Sequence, residues 1–297
     1  IILLEEKYDF LRSEESPSKK VGYRPSKTFK KVLHKVSMLS LSNAFSEEDL
    51  INFEKKIINF LDKDSSFKIE YSAEPKIDGI SASLTYKKGK FVMGLSRGDG
   101  KEGEDITQNL KTIDDIPKEI LIKDFPTDID VRGEVFIGNK DFEKIKDKFA
   151  NPRNAASGSL RQKNPIDTKK IPLKFIAYTF GHEKGMKVQK QNEYLQKLTE
   201  WGFKTNPLSK TIKGIQNLMN NYYEIEKKRN EIDFDIDGIV YKINNFNLQK
   251  RLGNVANSPR WAIAHKFSSN KGVSKILNID IQVGRTGALT PVAKINP

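Results

Sequence analysis

The stretch Ser72-Ala73-Glu74-Pro75-Lys76-Ile77-Asp78-Gly79 decides how this chain is read. Lys68 to Ala73 has the composition of a short strand, and Asp78-Gly79 is a turn signal, so Lys76 is expected at the mouth of a strand that runs into a turn. Glu74, Lys76 and Asp78 alternate, so on an extended backbone their side chains share one face. A lysine flanked by two carboxylates suits covalent nucleophilic chemistry, provided its surroundings lower its pKa. A solvated lysine before an Asp-Gly turn has the same local sequence, so these residues alone leave both readings open.

Outward from this stretch the pattern is strand-rich. Ile80–Tyr86 and Phe91–Ser96 flank Lys87-Lys88-Gly89-Lys90, a hairpin turn. Further strands are expected at Val131–Ile137, Phe175–Phe180, Phe234–Ile243 and Arg260–Phe267. A helix is expected at Ser46–Leu61, with Ser46 as N-cap and Leu50, Phe53, Ile57, Ile58 and Leu61 on one apolar stripe. Others are expected at Lys140–Phe149, at Lys190–Trp201 with Gly202 as its stop, and at Ile212–Arg229. Strands and helices mixed without βαβ alternation predict an α+β fold. Residues 1–12 have helical composition, 13–27 read as a polar, proline-containing linker, and new strands start after Val273 around Gly284-Arg285-Thr286-Gly287.

Length and composition bound the function. The 297 residues allow one large domain or two smaller ones, and 37% hydrophobic with 31% charged residues suits a soluble chain. No apolar run approaches the roughly 20 residues of a membrane helix, and the start has no secretory pattern. Opening at Ile1 in helical sequence, the chain reads as a fragment. Zero cysteines exclude disulfides and thiolate metal sites within it, and three scattered histidines, 34, 182 and 265, argue against a histidine metal site. A net charge of +13 favours a polyanionic partner such as nucleic acid, although lysine-rich composition alone raises charge.

Charged clusters fall at strand ends. Arg97-Gly98-Asp99-Gly100 continues to Gly103-Glu104-Asp105, a glycine-rich loop whose backbone can approach a ligand or simply turn. Arg132-Gly133-Glu134 puts Glu134 mid-strand, where a carboxylate faces solvent or needs a partner. Asp235, Asp237 and Lys242 interrupt one apolar strand, and Lys266 ends another. Singly these lysines read as surface groups. Together, Lys76, Lys242 and Lys266 suggest three cations around one phosphate, which would leave more of Lys76 as neutral amine.

The ordered set of motifs resembles the NAD-dependent bacterial DNA ligases. It comprises Glu74-Pro-Lys76-Ile-Asp78-Gly79, Ser96-Arg97-Gly-Asp-Gly100 with Gly103-Glu-Asp-Ile-Thr107, and Arg132-Gly-Glu134-Val-Phe136. It continues through Asn151-Pro-Arg153 to Arg161-Gln162, Phe234-Asp-Ile-Asp237-Gly to Lys242, Ser258-Pro-Arg-Trp261 to Lys266-Phe267, and Val283-Gly-Arg-Thr-Gly287. The lysine motif alone would admit ATP-dependent ligases and capping enzymes; the Asn151–Gln162 block and the Val283 motif are far more specific to the NAD-dependent group. A decayed, non-catalytic nucleic-acid-binding module is the rival of a different class, and intact Lys76, Glu134, Lys242 and Lys266 argue against it.

The resemblance implies a nucleotidyltransferase (ATP-grasp-like ligase) domain with antiparallel sheets and flanking helices over residues 23–270. It also implies the tail of an N-terminal module that binds nicotinamide mononucleotide over 1–22, and the beginning of an OB-fold over 271–297. It implies that Lys76 attacks NAD to form a covalent lysyl-AMP, that the AMP activates the 5′-phosphate of nicked double-stranded DNA, and that Lys266 stabilises the α-phosphate, with Lys242 near the base or the phosphate. Glu74 would read adenine, Ser40 and Leu41 would edge the adenosine, and Arg97 and Glu134 would hold the ribose. Asp78 and Asp237 would orient Lys76 or a hydrated magnesium ion, without a dedicated metal site. Arg153, Arg161 and Arg229 would contact DNA phosphates. A cytoplasmic monomer is implied, with zinc confined to parts of the family protein outside these residues. With the N-terminal module nearly absent, these residues alone are expected to bind AMP, to react poorly with NAD and not to seal nicks.

Overall fold

The computed structural model describes residues 29–64, 66–268, 273–284 and 287–296. The expected helix over 1–12, the linker over 13–27, the module tail over 1–22 and residues Arg285 and Thr286 of the terminal turn lie outside these.

Residues Phe29–Ser268 form one compact unit. In chain order its strands are β1 (Lys31–Leu33), β2 (Ser42–Ala44), β3 (Glu70–Ile77), β4 (Ile80–Lys87), β5 (Lys90–Ser96), β6 (Glu102–Glu104), β7 (Asp128–Ile137) and β8 (Leu173–Lys184). There follow β9 (Lys210–Lys213), β10 (Ile236–Ile243), β11 (Asn254–Val255), β12 (Ser258–Pro259) and β13 (Ala262–Lys266). Its helices are α1 (Glu47–Phe60), α2 (Thr107–Leu110), α3 (Asn139–Phe142), α4 (Pro152–Leu160), α5 (Pro165–Lys169), α6 (Gln191–Glu200), α7 (Ile215–Lys228) and α8 (Phe246–Leu252).

Two sheets carry the unit. One has the order β5-β4-β7-β8 and is antiparallel throughout; the other has the order β2-β13-β10-β3-β9 and is antiparallel except for the β2–β13 pair. Each builds its own apolar core. Leu84, Tyr86, Val131 and Phe175 meet Tyr194, Leu198 and Trp201 of the α6 region in the first, where the Phe125 and Trp201 rings stand edge to face at 4.9 Å. Tyr71, Ile239 and Tyr241 meet Leu50 and Ile57 of α1 and Leu218 and Ile225 of α7 in the second. The fold is α+β, as the pattern predicts.

The α1 helix starts as its sequence dictates. Ser46 Oγ accepts from the Asp49 N–H at 3.2 Å, and Asp49 accepts from the Ser46 N–H at 3.1 Å, a reciprocal cap. Three segments differ from expectation. The central strand continues to Ile77, because β10 pairs along its whole length, from Ile243 opposite Tyr71 to Ile236 opposite Ile77. Pro75 is tolerated because β9 pairs only with residues Glu70–Ala73, so β3 has a neighbour on one side there. The segment 140–149 is not one helix but α3 and a tight turn at Lys146–Lys148; none of these residues is fully buried, and unsupported short helices are marginal. The expected helix from Ile212 begins at Ile215, because Lys210–Lys213 joins the sheet edge and Gly214, at φ +82°, breaks the chain direction.

The later residues form a separate antiparallel hairpin, β14 (Ile276–Val283) and β15 (Leu289–Ile295), in which Asp280 and Lys294 pair at 2.6 Å.

Candidate active site

A cleft of about 570 Å³ is lined by residues from both sheets of the compact unit. Glu74 to Ile77 and Gly79 line it, Asp78 and Asp237 are not among the lining residues, and the alternating charges Glu74, Lys76 and Asp78 make three ion pairs. Glu74 meets Lys242 at 2.7 Å, Lys76 meets Asp237 at 3.1 Å, and Asp78 meets Arg153. Asp237 reaches Lys76 because the β3–β10 register slips between Ile236 and Gly238, leaving Asp237 as the extra residue of a bulge. Gly238 is required beside it: a Cβ there would lie 2.2 Å from the His265 carbonyl oxygen.

The three lysines do not share one empty point. Lys266 Nζ lies 3.9 Å from the Asp237 carboxylate that Lys76 also contacts, so a carboxylate stands between two of the cations. Lys242 is turned to Glu74, donates to the Tyr178 carbonyl at 3.0 Å, and lies 5.1 Å from the centre of the Tyr178 ring. The Glu74 carboxylate accepts two further hydrogen bonds, from Ser72 Oγ at 2.8 Å and Gln191 Nε2 at 3.0 Å.

Glu134 faces inward, not to solvent. Ser81 Oγ donates to it at 2.9 Å and the Tyr178 hydroxyl at 3.3 Å, and burial pushes its carboxyl up to about 7. Gly79 allows this packing, since a Cβ there would lie 2.8 Å from Glu134 Cγ.

Arg97 Nε donates to the Met38 carbonyl at 3.3 Å and its Nη2 to Ser40 Oγ at 2.7 Å, so it holds the wall that contains Ser40 and Leu41. The glycine-rich loop approaches the same wall: Gly100, at φ +92°, has room for no Cβ beside the Met38 carbonyl, 2.8 Å away. Arg132, buried in β7, donates to the Ser37 and Val36 carbonyls, and Gly181 leaves space for its guanidinium.

Arg153 and Arg161 both line the cleft, so they stand in its wall and not outside it; Arg161 Nε pairs with Glu104 at 2.9 Å. Arg229 is not among the lining residues and lies over the Phe267 ring at 5.5 Å. Tyr178, Gln191, Ser72 and Arg132 belong to the site, and no motif marks their roles. Tyr178 sits in an aromatic strand that reads as core, and Gln191 opens a helix in the manner of a surface residue. The alternation of Ser72 with Glu74 was the one available signal.

Residues 26–270 match the NAD-dependent DNA ligase adenylation domain family. The chain belongs to this family. It is 69% identical over its full length to the DNA ligase of Pelagibacter ubique, of which it covers 44%. It is 47% identical over 99% of its length to the DNA ligase of Parvibaculum lavamentivorans, of which it covers 42%. The adenylation-domain chain thus spans less than half the length of the curated relatives it matches. A solved mycobacterial DNA ligase D complexed with ATP and MES is 13% identical over 66% of this chain and 54% of its own, with a TM-score of 0.38.

Among the described residues no group of three or more His, Asp or Glu side chains stands in metal-holding geometry, and no helix is long and apolar enough to cross a membrane.

Proposed function

We propose that this chain is the nucleotide-transfer core of an NAD-dependent DNA ligase, with Lys76 as the nucleophile and NAD consumed as substrate. The observation that carries the reading is the contact of Lys76 with Asp237 at 3.1 Å, in a cleft whose walls also hold Glu74, Arg97, Glu134, Lys242 and Lys266. A volume of about 570 Å³ suits a nucleotide.

The Lys76 ammonium first loses a proton, and Asp237 is the acceptor in contact with it. The Nζ lone pair then forms a P–N bond to the α-phosphorus. The P–O bond to the other half of the pyrophosphate breaks, and nicotinamide mononucleotide leaves with that electron pair. Lys266, beside Asp237, is in reach to balance charge on the α-phosphate. Glu74 accepts from the exocyclic amine of the base, with Lys242 near the base or phosphate. Glu134 and Arg97 hold the ribose, and Ser40 and Leu41 edge the adenosine.

Magnesium suits phosphoryl transfer because it neutralises phosphate charge. Asp78 and Asp237 are each engaged by a basic side chain, which fits an ion carried chiefly by phosphate oxygens and water, without a protein cage. The adenylate passes to the 5′-phosphate of nicked DNA, and the 3′-hydroxyl then attacks that phosphorus and displaces AMP. The +13 charge and Arg153, Arg161 and Arg229 support a DNA partner held by its backbone.

Intact-mass measurement of the full-length protein incubated with NAD tests the reading. Gain of a single adenylate, reversed by excess nicotinamide mononucleotide, is expected. A protein that keeps its unmodified mass throughout sinks it.

A further inference from the structure

Gln191 is the first residue of α6 and is 1% exposed. Its Nε2 donates to Glu74 Oε1 at 3.0 Å and to the Tyr178 carbonyl at 2.7 Å, which uses both amide hydrogens. Both partners are acceptors, so the amide can sit only one way round. Its backbone N–H donates to the Asn244 carbonyl at 2.7 Å, pinning the start of α6 to the chain just past β10, the strand that carries Lys242. Lys242 in turn bonds Glu74 Oε2 at 2.7 Å and the same Tyr178 carbonyl at 3.0 Å. Gln191, Glu74, Lys242 and the Tyr178 carbonyl thus close a buried ring of hydrogen bonds.

The ring has a direction. Oε1 of Glu74 takes two donors, Gln191 and Ser72, and Oε2 takes one. A carboxylate oxygen offers about two acceptor positions, so Oε1 is filled and Oε2 keeps one free. A primary amide supplies two donors without adding charge to a Glu–Lys pair that is already balanced; a second cation or anion here would leave a buried charge uncompensated.

We infer that Gln191, assisted by Ser72, is a positioning residue: it fixes the Glu74 carboxylate so that Oε2 presents its one free acceptor to the exocyclic amine of a purine, and so sets selection for adenine nucleotides over purine nucleotides that lack the amine. This rests on the reading above that Glu74 meets the base. Without Gln191 the carboxylate keeps Lys242 but turns about its last bond, and the free acceptor no longer points one way.

The test compares binding of AMP and of purine riboside 5′-monophosphate, which lacks the amine, to the full-length protein. Wild type should prefer AMP. Gln191→Met should weaken AMP roughly tenfold, the scale of one hydrogen bond to a charged group, and leave the amine-free nucleotide unchanged. Ser72→Ala, a change too small to threaten folding, should shift the preference in the same direction by less. Equal weakening of both nucleotides in Gln191→Met, or an unaltered preference in Ser72→Ala, overturns the inference. A wild type that binds both nucleotides equally instead removes Glu74 from base reading, a separate failure.

Discussion

Glu74 and Lys242 stand 2.7 Å apart with only 6% and 7% of their side-chain surface exposed. A pair this deep cannot lose one member cheaply. Lys242→Met leaves a buried carboxylate with only a hydroxyl and an amide for company, at an expected cost of about 3–5 kcal/mol. Adding Glu74→Gln removes the orphaned charge and should restore a good part of it. Urea unfolding of both variants checks this; a double variant no more stable than Lys242→Met contradicts it.

Glu134 predicts a pH dependence. Burial raises its carboxyl from 4.5 to about 7. The folded chain therefore binds the proton more tightly than the unfolded chain, so this site's contribution is full below about 4.5 and is lost as pH rises toward 7. The loss is on the order of 3 kcal/mol, at about 1.4 kcal/mol per unit. Glu134→Gln should be stabilised relative to its parent near about pH 8 and much less near about pH 5. Melting curves at both pH values test it, and an equal difference at the two would count against a raised carboxyl.

Arg132, which lines the cleft with residues Val36–Leu41, predicts an effect on that segment. It holds the Val36 and Ser37 carbonyls, and a Cβ on Gly181 would stand 2.6 Å from its guanidinium. Gly181→Ala and Arg132→Lys should both loosen residues Val36–Leu41, at about 1–3 kcal/mol, and lower nucleotide affinity. Faster amide exchange at Met38 and Ser40 is the direct readout; unchanged protection there removes the clamp.

Much of this was legible in local sequence. The alternation of Glu74, Lys76 and Asp78 put three charged groups on one face, and each found a partner of opposite sign. The Ser46–Asp49 cap and the Lys88-Gly89 turn, with φ +49° and +78°, followed from residue type alone. The partners were not legible. Asp237 is 161 residues from Lys76, Gln191 is 117 from Glu74, and only sheet pairing and the start of α6 bring them together. The bulge that aims Asp237 is a register slip between two strands, which periodicity within one strand does not encode. The edge strand β9 was hidden because Lys-Thr-Ile-Lys runs into an amphipathic helix, and the expected helix absorbed it.

Arg161 predicts a salt effect. It is exposed, lines the cleft, and pairs with Glu104 at 2.9 Å. If it meets a DNA phosphate, Arg161→Ala should flatten the log–log salt dependence of nicked-DNA binding by about one unit. An unchanged slope with a lowered melting temperature assigns Arg161 to bracing Glu104 instead.

Lys76 is the residue expected to take the adenylate. The most direct measurement is peptide mapping by mass spectrometry of the full-length protein after reaction with NAD, beside Lys76→Ala and Lys76→Arg. One adenylate is expected, on the peptide that contains Lys76, and none in either variant, because alanine has no amine and a guanidinium stays protonated. Adenylate at wild-type extent in either variant, or mapped to Lys242 or Lys266, would contradict it.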